Sequence, residues 1–292
     1  MKKQVLAIIN PIAGGNNKKQ LFSQIRSAFE GVAHNPNIEV TQYAGHASEL
    51  ARKAVSEGVD FVVAVGGDGT VNEIAKEVVQ SASALGIIPV GSGNGLARDL
   101  HIPISVKSAL EIIRKGRITA IDYGTANEIP FFGTFGVGFD ARVSERFAKS
   151  GSRGFINYVR NTLEEFTNFK PEPYRVTTEQ GEILEKAFLV NCANTSQMGN
   201  NAYIAPQARL QDGKMTVTIL KPFAPLEVLP LAFQLFNKMI DKNSHIITFE
   251  SNSITIERQK KGIAHIDGEP IYMDAEIKIK TVPAGLKVIV PK

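Results

Sequence analysis

The residues best suited to do chemistry lie in one glycine-rich stretch, 66–73, which reads Gly-Gly-Asp-Gly-Thr-Val-Asn-Glu. Its glycines permit positive φ and let backbone N–H groups approach a ligand without an obstructing Cβ. When a helix starts directly after such a turn, its N-terminus supplies donors and positive partial charge, which suits phosphate. A carboxylate repels phosphate, so Asp68 indicates either a Mg²⁺ ion or an alcohol proton that must be removed.

The flanking residues predict where this stretch lies. Residues 61–65 form an apolar run typical of a buried strand, and the apolar residues from Val71 to Val79 fall on one helical face. The glycines therefore lie on a turn between a strand and a helix. They do not form a Walker A loop, because the chain contains no Gly-Lys-Ser or Gly-Lys-Thr. An ordinary strand–turn–helix connection is the simplest alternative interpretation.

The N-terminal part of the chain repeats this alternation of strands and helices. Strands are predicted over 5–9, 38–43, 61–65 and 85–90, with helices over 18–30, around 50–55, after residue 70 and over 105–114. Such alternation predicts a parallel sheet with helices on both faces. Gly- and Asn-rich loops follow the strands at 10–15, near Thr41, at 66–72 and at 91–94. Because ligands of open α/β sheets bind outside the carboxyl ends of the strands, these loops are expected to converge on one crevice.

From about residue 121 the pattern changes to shorter apolar runs separated by turn residues, which predicts a mostly antiparallel β-sandwich. Helices are predicted over 154–166 and 225–240, and the alternation over 271–279 predicts a single half-buried strand. Core packing, rather than a lipid-facing stripe, is the interpretation for Leu226, Leu229, Phe236, Met239 and Ile240. The boundary near residue 122 has no spacer, so closely packed domains with a cleft between them are expected.

Composition limits the class of protein. At 292 residues, 43% hydrophobic and 21% charged, one or two soluble globular domains are expected. The apolar runs are shorter than the ~18 residues that span a bilayer. The single cysteine, Cys192, excludes an internal disulfide and a multi-cysteine metal cluster, which favours the cytoplasm. A net charge of +4 gives a mild attraction to polyanions, but no basic run or aromatic ladder indicates nucleic acid.

Further motifs extend the pattern along the whole chain. They are Asn-Pro-x-x-Gly at 10–14, Thr41 with Gly-His-Ala at 45–47, Gly-Ser-Gly-Asn at 91–94 with Leu-Ala-Arg at 96–98, Gly-Val-Gly-Phe-Asp-Ala at 136–141, Leu-Gln-Asp-Gly at 210–213 and Asp-Gly-Glu at 267–269. With residues 66–73 they resemble the diacylglycerol kinase catalytic domain superfamily, which includes bacterial diacylglycerol, sphingosine and ceramide kinases.

The resemblance implies a fold similar to NAD kinase and phosphofructokinase. An α/β nucleotide-binding domain with a parallel sheet is expected over 1–122, and a β-sandwich lipid-substrate domain over 123–282. A last strand within 283–292 is expected to return to the first domain. The activity implied is transfer of the γ-phosphoryl group of ATP to a lipid alcohol with Mg²⁺, a reaction that depends mainly on positioning and charge neutralisation.

The same resemblance implies roles for individual residues. Nucleotide contacts are implied for Asn10, Pro11, Gly14, Thr41, Gly66, Gly67, Asp68, Gly69, Thr70, Asn72, Glu73, Ser92, Gly93 and Asn94. A structural Mg²⁺ is implied on Asp212 with the backbone carbonyls of Arg209 and Lys214. Glu269, with Asp267 beside it, matches the position of the proton acceptor. A primary alcohol needs a base within reach as it attacks, and the sequence leaves Asp68, Asp267 and Glu269 as candidates.

One position departs from the pattern of bacterial diacylglycerol kinases. They carry Gly-Thr-Gly-Asn-Asp, whereas this chain has Gly-Ser-Gly-Asn-Gly, so Gly95 removes a carboxylate from the implied Mg²⁺ network. The serine and the small residue are more similar to the sphingosine kinase version, Gly-Ser-Gly-Asn-Ala. Diacylglycerol and a sphingoid-type alcohol therefore both stay open as substrates. Asp140 is a candidate either for contacting an amine or for capping the end of a strand.

Two other functions stay open. NAD kinase also uses Gly-Gly-Asp-Gly-Thr and an Asn-Glu pair, and a catalytically weak regulator that binds lipid or nucleotide could keep the same fold. Residues 10–14 and 91–98 favour the lipid branch. A lipid kinase must touch the bilayer, so the expected partners are ATP, a lipid alcohol and an anionic membrane reached through basic residues such as Arg52, Arg98 and Arg142. A homodimer is a possible assembly.

Overall fold

The computed structural model describes residues 3–13, 18–29, 37–150, 166 and 169–292. Two compact units divide the chain: Met1–Ile121 with Ala284–Lys292, called the first unit, and Asp122–Pro283, called the second unit. Gly14 and the predicted helix over 154–166, apart from Phe166 itself, lie outside the described residues. In the described part of the chain, no helix is both long and apolar enough to cross a membrane.

A parallel sheet forms the centre of the first unit. Its strands are β1 (Val5–Ile9), β2 (Asn37–Val40), β3 (Phe61–Gly66) and β4 (Ala84–Pro89), in the order β2-β1-β3-β4. Every residue of β1, β3 and β4 is buried, as expected for parallel strands covered by helices on both faces. On the far side of β4, Leu85 pairs with Val288 near the C-terminus of the chain.

Helices cover this sheet. They are α1 (Lys18–Phe29), α2 (His46–Ser56), α3 (Asp68–Val78), α4 (Gly95–Asp99) and α5 (Val106–Lys115). The predicted apolar face of α3 is confirmed, since Val71, Ile74 and Val78 are buried. The short helix α4 was not predicted, because five residues contain too little of the helical period to give a sequence signal.

The second unit consists mainly of antiparallel strands in two sheets. The strands are β5 (Arg117–Ala126), which starts in the first unit, β6 (Ile129–Phe131), β7 (Thr134–Gly138), β8 (Glu172–Thr178), β9 (Gly181–Ala187), β10 (Leu189–Ala193), β11 (Met215–Leu220), β12 (Ile246–Ser251), β13 (Ser253–Arg258), β14 (Gly262–Ile266), β15 (Glu269–Met273) and β16 (Glu276–Val290), which ends in the first unit. One sheet has the order β16-β13-β8-β9, with β5 beside β16 and β6 beside β5, and the other has the order β12-β11-β10-β7-β14-β15.

The two sheets of the second unit pack face to face. Val176 and Ile277 of one sheet lie in the same buried cluster as Phe135, Val190 and Met215 of the other. Strand β13 alternates buried and half-buried residues, as a strand with one face in a core must. The predicted fold class, a parallel α/β domain plus a β-sandwich, is thereby confirmed.

The predicted single strand over 271–279 is wrong. The chain forms two strands instead, because β15 ends at Met273 and β16 begins at Glu276 in the opposite sheet. The alternation continues through the break because both strands bury one face in the same core. Arg258 stabilises the break, since its guanidinium donates to the carbonyls of Met273 (2.8 Å) and Asp274 (3.2 Å).

The core-packing interpretation of the apolar residues over 226–240 is wrong for all but Ile240. These residues form the 3₁₀ turn Pro225–Glu227, helix α7 (Val228–Phe236) and the 3₁₀ turn Ile240–Lys242, following α6 (Phe139–Ser150) in chain order. The exposed ones are Leu226, Leu229, Phe236 and Met239, with Phe233 beside them. The helix is apolar on every side, so its sequence does not reveal which side enters the core.

Candidate active site

Asn10 connects the loop after β1 to the glycine-rich turn of the first unit. Its backbone N–H donates to the carbonyl of Val65 (3.0 Å), and its side-chain amide donates to Oγ1 of Thr70 (3.1 Å). Its own side-chain oxygen accepts the N–H of Ile12 (3.0 Å), which turns the chain away past Pro11. Asn10, Pro11 and Thr70 are thus brought together at the carboxyl ends of β1 and β3.

Two glycine loops approach each other backbone to backbone at this edge. A Cβ built on Gly67 would lie 3.2 Å from the Cα of Gly91, and a Cβ on Gly91 would overlap the Cα of Gly67. A Cβ on Gly66 would likewise overlap the side chain of Thr70. Glycine is therefore required here for close approach, and the loops after β3 and β4 meet as a result.

Asp68 joins the same two loops through its carboxylate. Oδ2 accepts the N–H of Asn94 (2.8 Å) and Oδ1 accepts the N–H of Gly95 (2.7 Å), both at the start of α4. The position suits an anion, because a helix N-terminus carries unpaired donors and positive partial charge. Gly93 must lack a side chain here, since its Cβ would lie 2.6 Å from Oδ2 of Asp68.

Asn94 shapes the loop that Asp68 contacts. It has φ of 53°, in the left-handed region, and its side chain bonds Gly91 twice: Nδ2 donates to the Gly91 carbonyl (2.7 Å) and Oδ1 accepts the Gly91 N–H (3.2 Å). Arg98 adds a bond from Nε to the Gly93 carbonyl (3.0 Å). Within the same loop, Ser92 is exposed.

Glu73 lies one turn further along α3 and contacts another loop. Its carboxylate accepts the N–H groups of Gly45 (3.1 Å) and Ala47 (3.2 Å) at the start of α2. Thr41 is buried at the beginning of this loop, and its N–H donates to the carbonyl of Ile9 (2.9 Å). These contacts give Glu73 a role in orienting the loop after β2.

The N-terminus of α3 is the part of this edge that suits phosphate. The first hydrogen bond of the helix runs from the Val71 N–H to the Gly67 carbonyl (3.1 Å). The N–H groups before it, from Asp68 to Thr70, have no acceptor within the helix by construction. Three amides near a glycine turn, with a carboxylate able to accept further ligands, can bind a phosphate and a hard cation together.

In the second unit, Asp267 holds the hairpin between β14 and β15. Its carboxylate accepts three backbone N–H groups, from Phe132 (2.9 Å), Gly133 (2.7 Å) and Thr134 (3.0 Å). Burial raises the pKa of the Asp267 carboxyl, and these three donors oppose the rise. Asp267 itself has φ of 50°, so the turn it stabilises is tight.

Beneath the hairpin lies a buried polar cluster of Asp140, Asn191 and His265. Oδ2 of Asp140 contacts Nε2 of His265 (3.1 Å) and accepts the side-chain amide of Asn191 (3.2 Å). The Gly268 N–H donates to Nδ1 of His265 (3.3 Å), which assigns the ring proton to Nε2. Asp140 also accepts the Ala141 N–H (2.8 Å) within the first turn of α6.

Glu269 is the first residue of β15 and is exposed, in contrast to the buried cluster below it. Its neighbour in the hairpin is Ile266, which it faces across the β14–β15 pair. Because Asp267 fixes this turn to the loop at 132–134, the position of Glu269 is determined by contacts far away in the sequence. An exposed carboxylate on a fixed turn can accept a proton from a bound alcohol.

The predicted metal ligand Asp212 lies on an exposed loop. Its Oδ1 accepts the N–H of Lys214 (3.1 Å). The buried Asp122 holds the loop, because its carboxylate accepts the Gly213 N–H (2.7 Å) and its backbone N–H donates to the Leu210 carbonyl (2.7 Å). Among the described residues, no three His, Cys, Asp or Glu side chains gather as a metal site. A carboxylate with backbone carbonyls, as at Arg209 and Lys214, is nevertheless the oxygen donor set that Mg²⁺ or Ca²⁺ takes.

Sequence reasoning gave no role to Asp122, His265 or Arg258. Asp122 and Arg258 bond to backbone groups that the fold brings near, and His265 contacts the side chain of Asp140 as well as the Gly268 N–H; the sequence carries no local signal for these contacts. The assignments of nucleotide, metal and base to individual residues stay predictions.

Comparisons with known proteins cover almost the whole chain. The model of the diacylglycerol kinase catalytic domain matches residues 4–126, and that of the YegS C-terminal NAD kinase beta sandwich-like domain matches residues 133–290. A diacylglycerol kinase from Bacillus subtilis (strain 168) is 28% identical, covering 91% of this chain and 90% of its own. One from Mycobacterium tuberculosis (strain ATCC 25618 / H37Rv) is 27% identical, covering 99% and 96%. The crystal structure of a diacylglycerol kinase from Bacillus anthracis str. Sterne has the same fold, with a TM-score of 0.78, 20% identity, and coverage of 99% and 97%.

Proposed function

The chain belongs to the family of lipid kinases that combine a diacylglycerol kinase catalytic domain with a YegS-type C-terminal domain, and from this premise we propose its reaction. It transfers the γ-phosphoryl group of ATP, with Mg²⁺, to the hydroxyl of a membrane lipid. The observation that carries the proposal is the joining of two glycine loops by Asp68 and by the contact between Gly67 and Gly91. Such an edge presents amides and a carboxylate to one ligand.

The first unit binds the nucleotide in this proposal. The amides at the start of α3 attract the phosphates, because they are unpaired within the helix and lie at its positive end. Asn10 and Glu73 act indirectly, since their side chains hold the loops after β1 and β2 in place. Charge neutralisation and positioning are what phosphoryl transfer requires of a protein.

Two carboxylates are assigned to Mg²⁺. Asp68 accompanies the nucleotide, since each of its oxygens accepts a backbone N–H and a carboxylate oxygen can accept more than one bond. Asp212, with the carbonyls of Arg209 and Lys214, is assigned to a structural ion. Bound Mg²⁺ neutralises the charge that develops on the transferred group. If Asp212 binds the ion, Mg²⁺ should raise the Tm of wild type and leave that of Asp212→Asn unchanged; an equal rise in both would remove the assignment.

Glu269 is the proposed general base and Asp267 its positioning residue. Both oxygens of Asp267 are occupied by backbone N–H groups that fix the hairpin, whereas Glu269 is exposed beside it. A base that takes the proton of an attacking alcohol contributes about 10²–10⁴-fold to the rate. Glu269→Gln should therefore lower kcat by that factor with little change in KM for ATP.

The test is transfer of labelled phosphate from ATP to a panel of acceptors: diacylglycerol, sphingosine, ceramide, monoacylglycerol and NAD. The matched control for Glu269→Gln is Glu276→Gln, since Glu276 is also an exposed glutamate of the second unit, paired only at the surface with Lys278 (3.0 Å). Label in a lipid, lost in Glu269→Gln and kept in the control, supports the proposal. Equal loss in both variants would contradict the role of Glu269.

The acceptor panel also decides between the alternatives. The named relatives are diacylglycerol kinases, whereas Gly95 leaves a sphingoid-type alcohol open. Label in NAD alone would make the chain an NAD kinase-like enzyme. ATP binding without transfer to any acceptor would indicate a regulator. In the proposal the enzyme works in the cytoplasm, where ATP is available, in peripheral contact with the membrane.

A further inference from the structure

The second unit exposes a continuous apolar surface along α7. Five large side chains form it and are defined here as the apolar face: Leu226 (92% exposed), Leu229 (81%), Phe233 (63%), Phe236 (41%) and Met239 (38%). The first four are spaced three, four and three residues apart, which places them on one side of the helix and the 3₁₀ turn before it. Contiguous exposed apolar surfaces of this kind mark interaction sites.

The other side of α7 is anchored in the second unit. Leu231 is buried in a cluster with Phe188, Leu220 and Ile240, and Leu235 packs against the same cluster. The backbone adds a bond from the Tyr203 N–H to the Leu235 carbonyl (3.0 Å). The apolar face is therefore held outward by a packed helix, which is a different situation from a loosely attached segment that collapses onto the core.

The exposed charged side chains that follow α7 are lysines. Lys238 and Lys242 are exposed just after α7, and among the described residues neither ammonium is in an ion pair. Lys238 lies over the ring of Tyr203, 4.5 Å from its centroid. The two acidic residues of this segment already have partners. Glu227 is bound by the Ala224 N–H (2.7 Å) and by His245 (3.0 Å), and the half-buried Asp241 accepts the side-chain amide of Gln207 (3.3 Å).

We propose that the apolar face of α7 inserts into the surface of an anionic lipid bilayer, with Lys238 and Lys242 contacting the headgroups. Charge complementarity selects this occupant: apolar side chains next to lysines and a tyrosine are the composition of an interfacial helix. Nine residues are too few to span a bilayer, so the helix lies in the interface. The inference rests on the proposed function, because it places the enzyme on the surface that contains its lipid substrate.

The experiment measures binding to sedimented vesicles made of equal parts phosphatidylglycerol and phosphatidylcholine, without nucleotide. Leu229→Glu should weaken vesicle binding by about tenfold or more (about 1.4 kcal/mol), since it removes an apolar side chain that the bilayer would bury and adds a negative charge at an anionic surface. The matched control is Leu184→Glu, because Leu184 is equally apolar and 66% exposed on β9. Its vesicle binding should stay close to that of wild type. Lys238→Gln with Lys242→Gln should weaken binding to these vesicles and not to pure phosphatidylcholine.

Several results would overturn the inference. They are an absence of wild-type binding, equal weakening by Leu184→Glu, and a wild-type dimer in solution that Leu229→Glu converts to a monomer, which would assign the apolar face to a second copy. Phosphoryl transfer to a short-chain, water-soluble diacylglycerol separates this inference from the proposed function. Phosphoryl transfer without vesicle binding would support the proposed function and contradict membrane insertion of the apolar face. Leu229-dependent vesicle binding without transfer to any acceptor would support membrane insertion and contradict the proposed function.

Discussion

Replacement of Asp68 by asparagine is expected to loosen the first unit as well as to impair catalysis. In wild type the two carboxylate oxygens accept the N–H groups of Asn94 (2.8 Å) and Gly95 (2.7 Å). Asparagine keeps one acceptor oxygen and presents an NH₂ group at the other position. One backbone N–H at the start of α4 then faces a donor, and the remaining bond loses its charge.

The magnitude follows from these two bonds. A hydrogen bond to a charged group contributes about 1.5–3 kcal/mol, and a buried N–H left without an acceptor costs about 1–3 kcal/mol. Because Asp68 is half-buried, we expect Asp68→Asn to lower the free energy of unfolding by about 2–3 kcal/mol. A loss of this size lowers Tm by roughly 5–10 °C in a protein of this class.

The assay combines thermal unfolding with hydrogen exchange. Amides over 91–99 should exchange faster in Asp68→Asn than in wild type, since this loop depends on the carboxylate. Asp274→Asn is the control, because it makes the same chemical change at an exposed side chain. An Asp68→Asn protein with wild-type Tm and wild-type exchange over 91–99 would refute the reasoning. It would show that Asp68 does not stabilise this loop, which leaves only the proposed role in the reaction.

Three further predictions concern packing, pH and thiol reactivity. Gly91→Ala should lower the free energy of unfolding in urea by about 1–3 kcal/mol, because its Cβ overlaps the backbone of Gly67; wild-type stability would show that the loops can separate. The Lys3 ammonium holds the pKa of the Asp60 carboxyl below its usual value. The ion pair therefore stabilises the fold fully above the usual carboxyl pKa, and this stabilisation is lost as pH falls through the folded-state pKa of Asp60. Asp60→Asn should therefore lower Tm at neutral pH and converge with wild type in acid, whereas a constant difference would contradict the ion pair. Burial raises the pKa of the Cys192 thiol, so iodoacetamide should modify it only after unfolding; rapid alkylation of the native protein would show that the core opens.

The sheet and its loops could be predicted from the sequence because their signals are local. An unbroken apolar run such as residues 61–65 indicates a buried strand wherever it occurs, and glycines directly after it indicate a turn. The order of strands and helices then places the loops after β1, β3 and β4 at one edge. The positions of Asn10, Gly67 and Gly91 therefore followed from spacing alone.

The contacts of the charged site residues could not be predicted. The carboxylates of Asp68 and Glu73 bind backbone N–H groups 26–28 positions away in the chain, and nothing in a sequence identifies a particular amide as a partner. Asp267 is a stronger example, since the N–H groups that donate to its carboxylate lie 133–135 positions away. Only the folded chain shows that these carboxylates hold loops.

The two wrong predictions share one physical cause. Periodicity shows which residues lie on the same side of an element, but it does not show where the element ends or which side is buried. Alternation over 271–279 is satisfied equally by one strand or by two strands that bury the same side in one sandwich. In α7 apolar residues occupy every side, so Leu229 and Leu231 are indistinguishable in the sequence although one is exposed and the other buried.

The last strand determines when the first unit can be completed during synthesis. Near the end of β16, Lys287 donates to the carbonyl of Ser81, 206 positions earlier, and the Gln80 N–H donates to Gly285 (2.8 Å). A ribosome adding 5–20 residues per second needs roughly 10–40 s to cover that separation. Throughout this interval the outer side of β4 presents unpaired backbone groups, which can pair with another nascent chain. Most of the first unit is thus translated before the second unit, yet its sheet closes only once the end of β16 has been made, so its yield in a cell depends on protection of that one edge.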